Sequence, residues 1–255
     1  MIIENSVLLL KTQATEGASD KYVDLLIRNN FEVRQVKTLV FQFKNIDALK
    51  HKLKNDGDYS GLIFSSPRCV HAVYLATNDT KSLIDSWQSK HNFAVGEATY
   101  KDALDKLSLE CKGKESGNAV NLSKVIMEEK FIHQKPLLFP HGNLKTDTLS
   151  RELEKEGLKI EGVLVYDTIT NPDICEEIKQ VTDNFRAVPE YVVFFSPSGL
   201  HSSLEHLQNI PDFCYAKLIA IGPVTELAMK EKNLDVFGVT RKPTPEDVLD
   251  VIAGR

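Results

Sequence analysis

Four short apolar runs of this 255-residue chain end in hydroxyl side chains or glycine, and they form two matched pairs. The order is the same in both halves: Ser65, Ser66, Gly96 and Thr99, then Ser196, Ser198, Gly199, Gly222 and Thr225. Hydroxyl groups and free N–H groups where a strand meets a helix can bind anions. Serine and threonine also cap helices there, which is the simpler interpretation of any one corner. Four corners in matched pairs favour a site for an anionic ligand with many acceptor atoms.

The segments that position these corners alternate between strand and helix. Apolar spacing predicts strands at 7–10, 32–36, 62–64, 93–95, 137–139, 162–165, 191–195 and 218–221. It predicts helices at 21–29, 70–76, 101–107, 120–127, 144–156, 200–207, 225–232 and 245–252. This alternation predicts an α/β protein of two similar domains, with parallel sheets flanked by helices on both faces.

A chain of this length suits two domains of ordinary size. The first strand-helix-strand ends near Val36 and is too short to form a domain alone, while the region after residue 170 offers only two or three strong strands. We therefore expect residues 1–37 and 169–255 to form one discontinuous domain. Residues 40–165 would form an inserted domain, with 38–39 and 166–168 as the linker.

Composition excludes several classes of protein. Hydrophobic residues make up 42% and charged residues 26%, which is typical of a globular protein. A net charge of −5 without a basic stripe argues against a nucleic-acid surface. No apolar run reaches membrane-spanning length.

The N-terminal segment and the cysteines indicate a cytosolic protein. Glu4 and Asn5 interrupt the first apolar segment, which lacks a basic leader and therefore predicts a strand, not a signal peptide. We expect reduced thiols and no structural zinc, since there is no CxxC motif among Cys69, Cys111, Cys175 and Cys214.

These motifs together resemble the uroporphyrinogen-III synthase family, most closely its animal form, over nearly the whole chain. The resemblance depends on Leu62–Arg68, Pro136–Pro140, Gly142–Lys145, Val165–Thr168, Phe194–Leu200 and Ala220–Pro223 with Thr225. Each motif is weak alone, whereas their combination in this order is specific.

The resemblance implies a fold and an activity. The fold is two α/β domains joined by a two-stranded linker, one domain being discontinuous. The activity is a cofactor-free closure of the linear tetrapyrrole hydroxymethylbilane to uroporphyrinogen III, with loss of water and inversion of ring D through a spirocyclic intermediate. Because hydroxymethylbilane closes unaided to the I isomer, the enzyme would act mainly by orienting its substrate. We expect a cytosolic monomer with no nucleic-acid, membrane or metal partner.

The resemblance also implies roles for individual residues. Tyr166 matches the family's linker tyrosine and would donate the proton for water loss, since a phenol is protonated at neutral pH. Arg68 and Lys217 match basic residues near the family's site. The eight substrate carboxylates would be bound by these and by Ser65, Ser66, Thr99, Ser196, Ser198, Gly199 and Thr225.

Each of these roles has a structural alternative. Tyr166 could be an amphipathic aromatic residue at a domain junction, and Arg68 and Lys217 could form surface ion pairs. Val224 stands where the animal form usually has a threonine, so that either Thr225 makes the contact alone or the first hydroxyl is dispensable. His141 follows another strand and could approach a carboxylate, but a loop histidine is more often solvated, and we do not assign it to catalysis.

Other enzyme classes fit poorly, but one alternative from another class stays open. The chain has no GxSxG elbow and no GxGxxG after the first strand, and its histidines are scattered. A two-lobed binding protein that holds an anionic small molecule without transforming it would show the same paired corners. Tyr166 and the missing export signal favour the enzyme.

Overall fold

Strands and helices alternate along the computed structural model, which describes residues 1–12, 20–129, 134–144 and 148–254. The strands are β1 (Ile2–Lys11), β2 (Glu32–Lys37), β3 (Leu39–Phe43), β4 (Gly61–Phe64), β5 (Phe93–Ala94), β6 (Leu137–Gly142), β7 (Ile160–Thr170), β8 (Val188–Phe194), β9 (Lys217–Ile221) and β10 (Val236–Thr240). The helices are α1 (Lys21–Arg28), α2 (Ile46–Lys54), α3 (Pro67–Thr77), α4 (Gly96–Leu107), α5 (Ala119–Glu128), α6 (Thr148–Lys155), α7 (Ile174–Val181), α8 (Pro197–Leu207), α9 (Gly222–Glu231) and α10 (Pro245–Ile252). Short 3₁₀ helices lie at Asp56–Asp58, Lys81–Trp87 and Phe213–Tyr215.

The chain divides into two compact units. Unit 1 consists of Met1–Val40 and Ile169–Arg255, and unit 2 consists of Phe41–Thr168. The chain therefore changes unit within β3 and within β7, which are neighbouring strands of one sheet. The domain boundaries inferred from the sequence, including the linker at 38–39 and 166–168, stay a prediction.

The sheet of unit 1 has the strand order β10-β9-β8-β1-β2, and these neighbours pair in parallel. Residues of β1 pack alternately into two apolar clusters. Leu8 and Leu10 lie in one cluster, and Val7 and Leu9 lie in the other. Because neighbouring strand residues point to opposite faces, both faces of this sheet are covered.

The sheet of unit 2 has the order β3-β7-β6-β4-β5. In β4, Leu62 and Phe64 join one buried cluster while Ile63 joins the other. The pairings of β4 with β5 and β6, and of β6 with β7, are parallel. The predicted α/β class with helix-flanked parallel sheets is confirmed.

Some elements differ from those that the sequence predicts. The prediction missed β3, β10, α2 and α7, and it placed a helix at 144–156 where α6 occupies Thr148–Lys155. Residues 145–147 of that prediction lie outside the described part of the chain. Within the described ranges, we find no helix with the length and apolar character needed to cross a membrane.

Candidate functional site

The two serine corners have the same backbone conformation. Ser66, before α3, has φ −163° and ψ 161°, and Ser196, before α8, has φ −162° and ψ 158°. A proline occupies the first turn of each helix, where its missing N–H costs no hydrogen bond. Both corners therefore begin a helix directly after the carboxyl end of a strand, β4 for Ser66 and β8 for Ser196.

The two glycine corners match as closely. Gly96 begins α4 and Gly222 begins α9, and both have φ +75°, a conformation that residues with a side chain rarely adopt. Three residues later, Thr99 and Thr225 are both buried, at 3% and 2% exposure. The repeat read from the sequence is thus a repeat of backbone geometry.

A cavity of about 240 Å³ lies at the carboxyl ends of the unit 2 strands. Its wall combines hydroxyl groups, one imidazole and apolar side chains. The lining residues are Ser65, Ser66, Val95, Ala119, Phe139, His141, Gly142, Leu144, Leu149 and Tyr166. The volume is below the roughly 300–1,000 Å³ that encloses a whole drug-sized ligand, so the cavity would take one part of a larger molecule.

Tyr166 is the central titratable side chain of this cavity. Its ring meets Phe41 and Phe43 edge-on, with centroids 5.9 and 6.2 Å away. Its Oη lies 3.5 Å from Oγ of Ser66. Burial raises the pKa of Tyr166, and Cys69 acts in the same direction, while the Ser66 hydrogen bond and the charge of Arg68 oppose the increase. A phenol with a raised pKa is fully protonated at neutral pH and can donate a proton.

Arg68 lies beside this phenol in the first turn of α3. Its guanidinium carbon is 3.4 Å from the ring centroid of Phe41, a cation–π contact that fixes the side chain. Burial lowers the pKa of Arg68, although an arginine stays charged throughout the physiological range. The structure thus brings Ser65, Ser66, Arg68 and Tyr166 together around one end of the unit 2 sheet.

The predicted residues of unit 1 occupy the corners of α8 and α9. Ser196 Oγ accepts a hydrogen bond from the Gly199 N–H at 3.1 Å and lies 3.2 Å from the exposed Ser198 hydroxyl. Gly199 is buried against Thr38, since an added β-carbon would lie 3.1 Å from the Thr38 hydroxyl. Val224 is 69% exposed, so its side chain is mostly outside the packed interior.

Lys217 does not join the other predicted residues of unit 1. It is the first residue of β9, so it lies at the amino end of the sheet, whereas Ser196 follows the carboxyl end of β8. Its ammonium pairs with Glu190 at 2.8 Å and lies 4.9 Å from the ring centroid of Tyr191. The structure therefore favours the ion-pair alternative for this residue.

Two residues that line the same cavity as Tyr166, His141 and Gly142, were not among the predicted site residues. His141 lines the cavity, and its Nδ1 lies 3.0 Å from the carbonyl oxygen of Gly142. The register between β6 and β7 shifts between His141 and Gly142, which places Gly142 opposite Tyr166. The strand-end position of His141 was a signal in the sequence, whereas a register shift leaves none.

Metal ligation gains no support from the described residues. Among them, no group of three or more histidine, cysteine, aspartate or glutamate side chains could hold an ion. All four cysteines are free thiols. What the cavity offers chemically is proton donation and hydrogen bonding, and the charge of Arg68 acts on its phenol.

The sequence is similar to known proteins over most of its length. The family model described as Uroporphyrinogen-III synthase HemD matches residues 20–250. A curated relative, the uroporphyrinogen-III synthase of Saccharomyces cerevisiae, is 26% identical over 208 residues, which are 75% of this chain and 74% of that protein.

Solved structures share the fold at lower identity. The uroporphyrinogen-III synthetase of Helicobacter pylori superposes with a TM-score of 0.61 at 15% identity, covering 98% of both chains. A mutant uroporphyrinogen III synthase of Thermus thermophilus gives a TM-score of 0.54 at 11% identity, covering 98% of this chain and 99% of that chain. At these identities the likeness shows the fold alone.

Proposed function

Because the chain belongs to the uroporphyrinogen-III synthase family, we propose that it closes hydroxymethylbilane to uroporphyrinogen III with loss of water and inversion of ring D. The observation that carries this proposal is the half-buried phenol of Tyr166, which lines a cavity at the strand ends together with Ser66. No cofactor takes part in the proposed reaction.

The first step needs a proton donor. When the C–O bond of the hydroxymethyl group breaks, the oxygen leaves as water if it receives a proton, and a delocalised azafulvene cation forms on ring A. Tyr166 supplies that proton in our proposal. Its raised pKa keeps the phenol protonated until the substrate binds. The proton released when the closed ring regains its aromatic pyrroles restores the phenol.

The second step depends on orientation. The substituted carbon of ring D must attack the cation to give the spirocyclic intermediate, which fragments and recombines to the III isomer. A cavity of about 240 Å³ with apolar walls suits one substituted pyrrole ring, and excluding water from it protects the cation. Holding a ring in this way selects the spirocyclic route over direct closure.

The remaining donors bind carboxylates in this proposal. Arg68 offers a fixed guanidinium, and the serine and glycine corners offer N–H and O–H groups. Ser65, Thr99, Ser196, Ser198, Gly199 and Thr225 stay in the proposed set of substrate-binding residues. We leave Lys217 out because it lies at the opposite end of its sheet. A cytosolic monomer, as expected from the sequence, completes the proposal.

The test uses hydroxymethylbilane generated in place by its upstream synthase. The products are oxidised, and uroporphyrin I is separated from uroporphyrin III. The proposal predicts mainly the III isomer, formed faster than the spontaneous closure. A folded protein that yields only the I isomer at the spontaneous rate would overturn it. If calorimetry then showed tight binding of uroporphyrinogen III, the two-lobed binding protein would be the better account.

A further inference from the structure

The two serine corners share a backbone but use their hydroxyl groups differently. Ser196 caps α8, because its Oγ accepts a hydrogen bond from the N–H of Gly199. Ser66 has φ and ψ within 3° of those of Ser196, yet its side chain makes no capping hydrogen bond to α3. An N-cap serine ordinarily stabilises its helix, so a missing cap at a matching corner needs a cause.

The residue three positions later supplies that cause. Cys69 in α3 occupies the position that Gly199 has in α8. The Cys69 sulfur lies 3.4 Å from the Ser66 hydroxyl and 3.5 Å from that of Ser65, and it is fully buried. A thiol offers Ser66 a side-chain partner where a glycine offers only its N–H.

The hydroxyl that does not cap the helix faces Tyr166 instead. Ser66 Oγ and Tyr166 Oη are 3.5 Å apart, the outer limit of a hydrogen bond. Such contacts are commonly long in a site without its substrate and shorten when the substrate binds. The tyrosine ring itself has little freedom, because Phe41 and Phe43 meet it edge-on and Gly142 lies against it.

We propose that Ser66 is a positioning residue that holds the Tyr166 phenol, and that Cys69 draws the Ser66 hydroxyl away from the backbone N–H groups of α3 so that it can do so. This inference rests on the proposed function, in which Tyr166 donates the proton. It gives Ser66 a role other than carboxylate binding. It also explains why the two serine corners, which share a backbone conformation, differ in the third residue of the following helix, which is Cys69 in α3 and Gly199 in α8.

The pKa of Tyr166 provides a readout that would stay unchanged if Ser66 had a merely structural role. Arg68 and Cys69 act on the phenol from α3, and His141 lines the same cavity from β6. The hydrogen bond between Ser66 and Tyr166 lowers the pKa of Tyr166 against the increase caused by burial. Removing that bond therefore raises this pKa further, whether or not turnover is measured.

The experiment follows phenolate absorbance during a pH titration. Subtracting the curve of the same variant with Tyr166→Phe isolates one phenol among the seven tyrosines. We expect Ser66→Ala to shift the ionisation of Tyr166 to higher pH, whereas Cys69→Gly also removes the effect by which Cys69 itself raises this pKa, so that variant is compared by its kinetics. Cys69→Ser keeps a hydrogen-bonding group at position 69 and should retain most of the wild-type behaviour. Cys111→Ala is the matched control, because Cys111 is a second buried thiol of unit 2 and its sulfur lies 3.8 Å from the backbone carbonyl oxygen of Leu109.

Kinetics give the second readout. Positioning predicts that Ser66→Ala and Cys69→Gly lower kcat several-fold with little change in KM, whereas carboxylate binding by Ser66 would raise KM and leave kcat nearly unchanged. Since Cys69→Gly could weaken α3, Ser66→Ala carries the test if that variant unfolds.

Three results distinguish the positioning role of Ser66 from the proposed function of the protein. An unchanged Tyr166 titration in Ser66→Ala would overturn the positioning role, even in a protein that makes uroporphyrinogen III. A rise in KM alone would overturn it as well. A shifted titration in a protein that forms no uroporphyrinogen III would support the contact and overturn the proposed function.

Discussion

A β-carbon on Gly142 would lie 2.5 Å from Cζ of Tyr166, so the phenol ring fills the space that a side chain at position 142 would need. The register shift between β6 and β7 brings these two residues opposite each other. A glycine at the end of one strand thus sets where the proposed proton donor of the next strand lies.

Gly142→Ala should therefore displace the Tyr166 ring. We expect a loss of about 1–3 kcal/mol in the free energy of unfolding, the usual cost of forcing a group into filled space, and a clear fall in kcat. Urea unfolding and turnover measure the two effects. Gly57→Ala is the control, because a β-carbon there would meet nothing within 4 Å. Wild-type turnover in Gly142→Ala would contradict the packing role.

Gly222→Ala tests whether the backbone conformation at position 222 requires glycine, separately from any lack of space for a side chain. Apart from its sequence neighbours and its own helix backbone, no atom of the described residues lies within 4 Å of a β-carbon at this position, but its φ of +75° is strained for alanine. We expect a loss of about 1–3 kcal/mol from strain alone, measured by urea unfolding. Gly96 has the same φ and should respond similarly when replaced. A cost close to zero at both positions would show that the corners relax freely.

Arg68→Lys separates the contribution of stacking on Phe41 from that of the positive charge. Lysine keeps the positive charge but loses the planar contact with Phe41, 3.4 Å away, and the paired N–H groups that match a carboxylate. We expect KM to rise several-fold with a smaller change in kcat, and Arg68→Ala to raise KM further. Steady-state kinetics with enzymatically generated hydroxymethylbilane provide the measurement. Equal KM values for all three proteins would remove Arg68 from substrate binding.

Lys217→Met should affect stability and leave substrate binding unchanged. Burial by itself raises the pKa of Glu190, but hydrogen bonds from Lys217, Asn5 and Tyr191 and the charge of Lys217 outweigh it, and the pKa is lowered overall from 4.5. A lowered pKa in the folded state stabilises the protein above the unfolded value and loses this effect as the pH falls through the folded value.

We therefore expect Lys217→Met to cost up to about 1 kcal/mol at neutral pH, as for other partly exposed pairs. The difference from wild type should disappear as the pH falls below 4.5 towards the folded pKa of Glu190. Urea unfolding at several pH values provides the measurement, with the exposed Lys232→Met as the control. A several-fold rise in KM would instead return Lys217 to the substrate-binding set.

The sequence predicts those strands and helices whose apolar residues follow a clear pattern. β4 and the 191–194 part of β8 are uninterrupted apolar runs, and Pro67 and Pro197 mark where the next helices begin. By contrast, Gly238 interrupts the apolar pattern of β10. It is required there because a β-carbon would meet Val251 of α10 at 2.4 Å. That close approach of strand and helix is a tertiary contact, which a local pattern does not contain.

The position of a site residue could be predicted where it depends only on the direction of the strand before it. Serines after β4 and β8 lie at carboxyl ends because the strands of each sheet are parallel. The same rule would have placed Lys217 at the amino end of its sheet, since it is the first residue of β9. The contact of Tyr166 with Ser66 joins residues 100 positions apart and required the three-dimensional structure.

If Tyr166 donates the proton that starts ring closure, its removal must change the isomer composition of the product. Wild-type protein, Tyr166→Phe and Tyr74→Phe would each receive hydroxymethylbilane as it is formed. Tyr74 is a suitable control because it packs against the same core of unit 2 and lines a different cavity.

We predict mainly uroporphyrin III from wild type and Tyr74→Phe. Tyr166→Phe should form it roughly 10- to 100-fold more slowly, near the low end of what general acids contribute, so that the spontaneous I isomer accumulates beside it. If Tyr166→Phe formed the III isomer as fast as wild type, the phenol would not be the proton donor. If wild type itself gave only the I isomer, the account would be wrong as a whole.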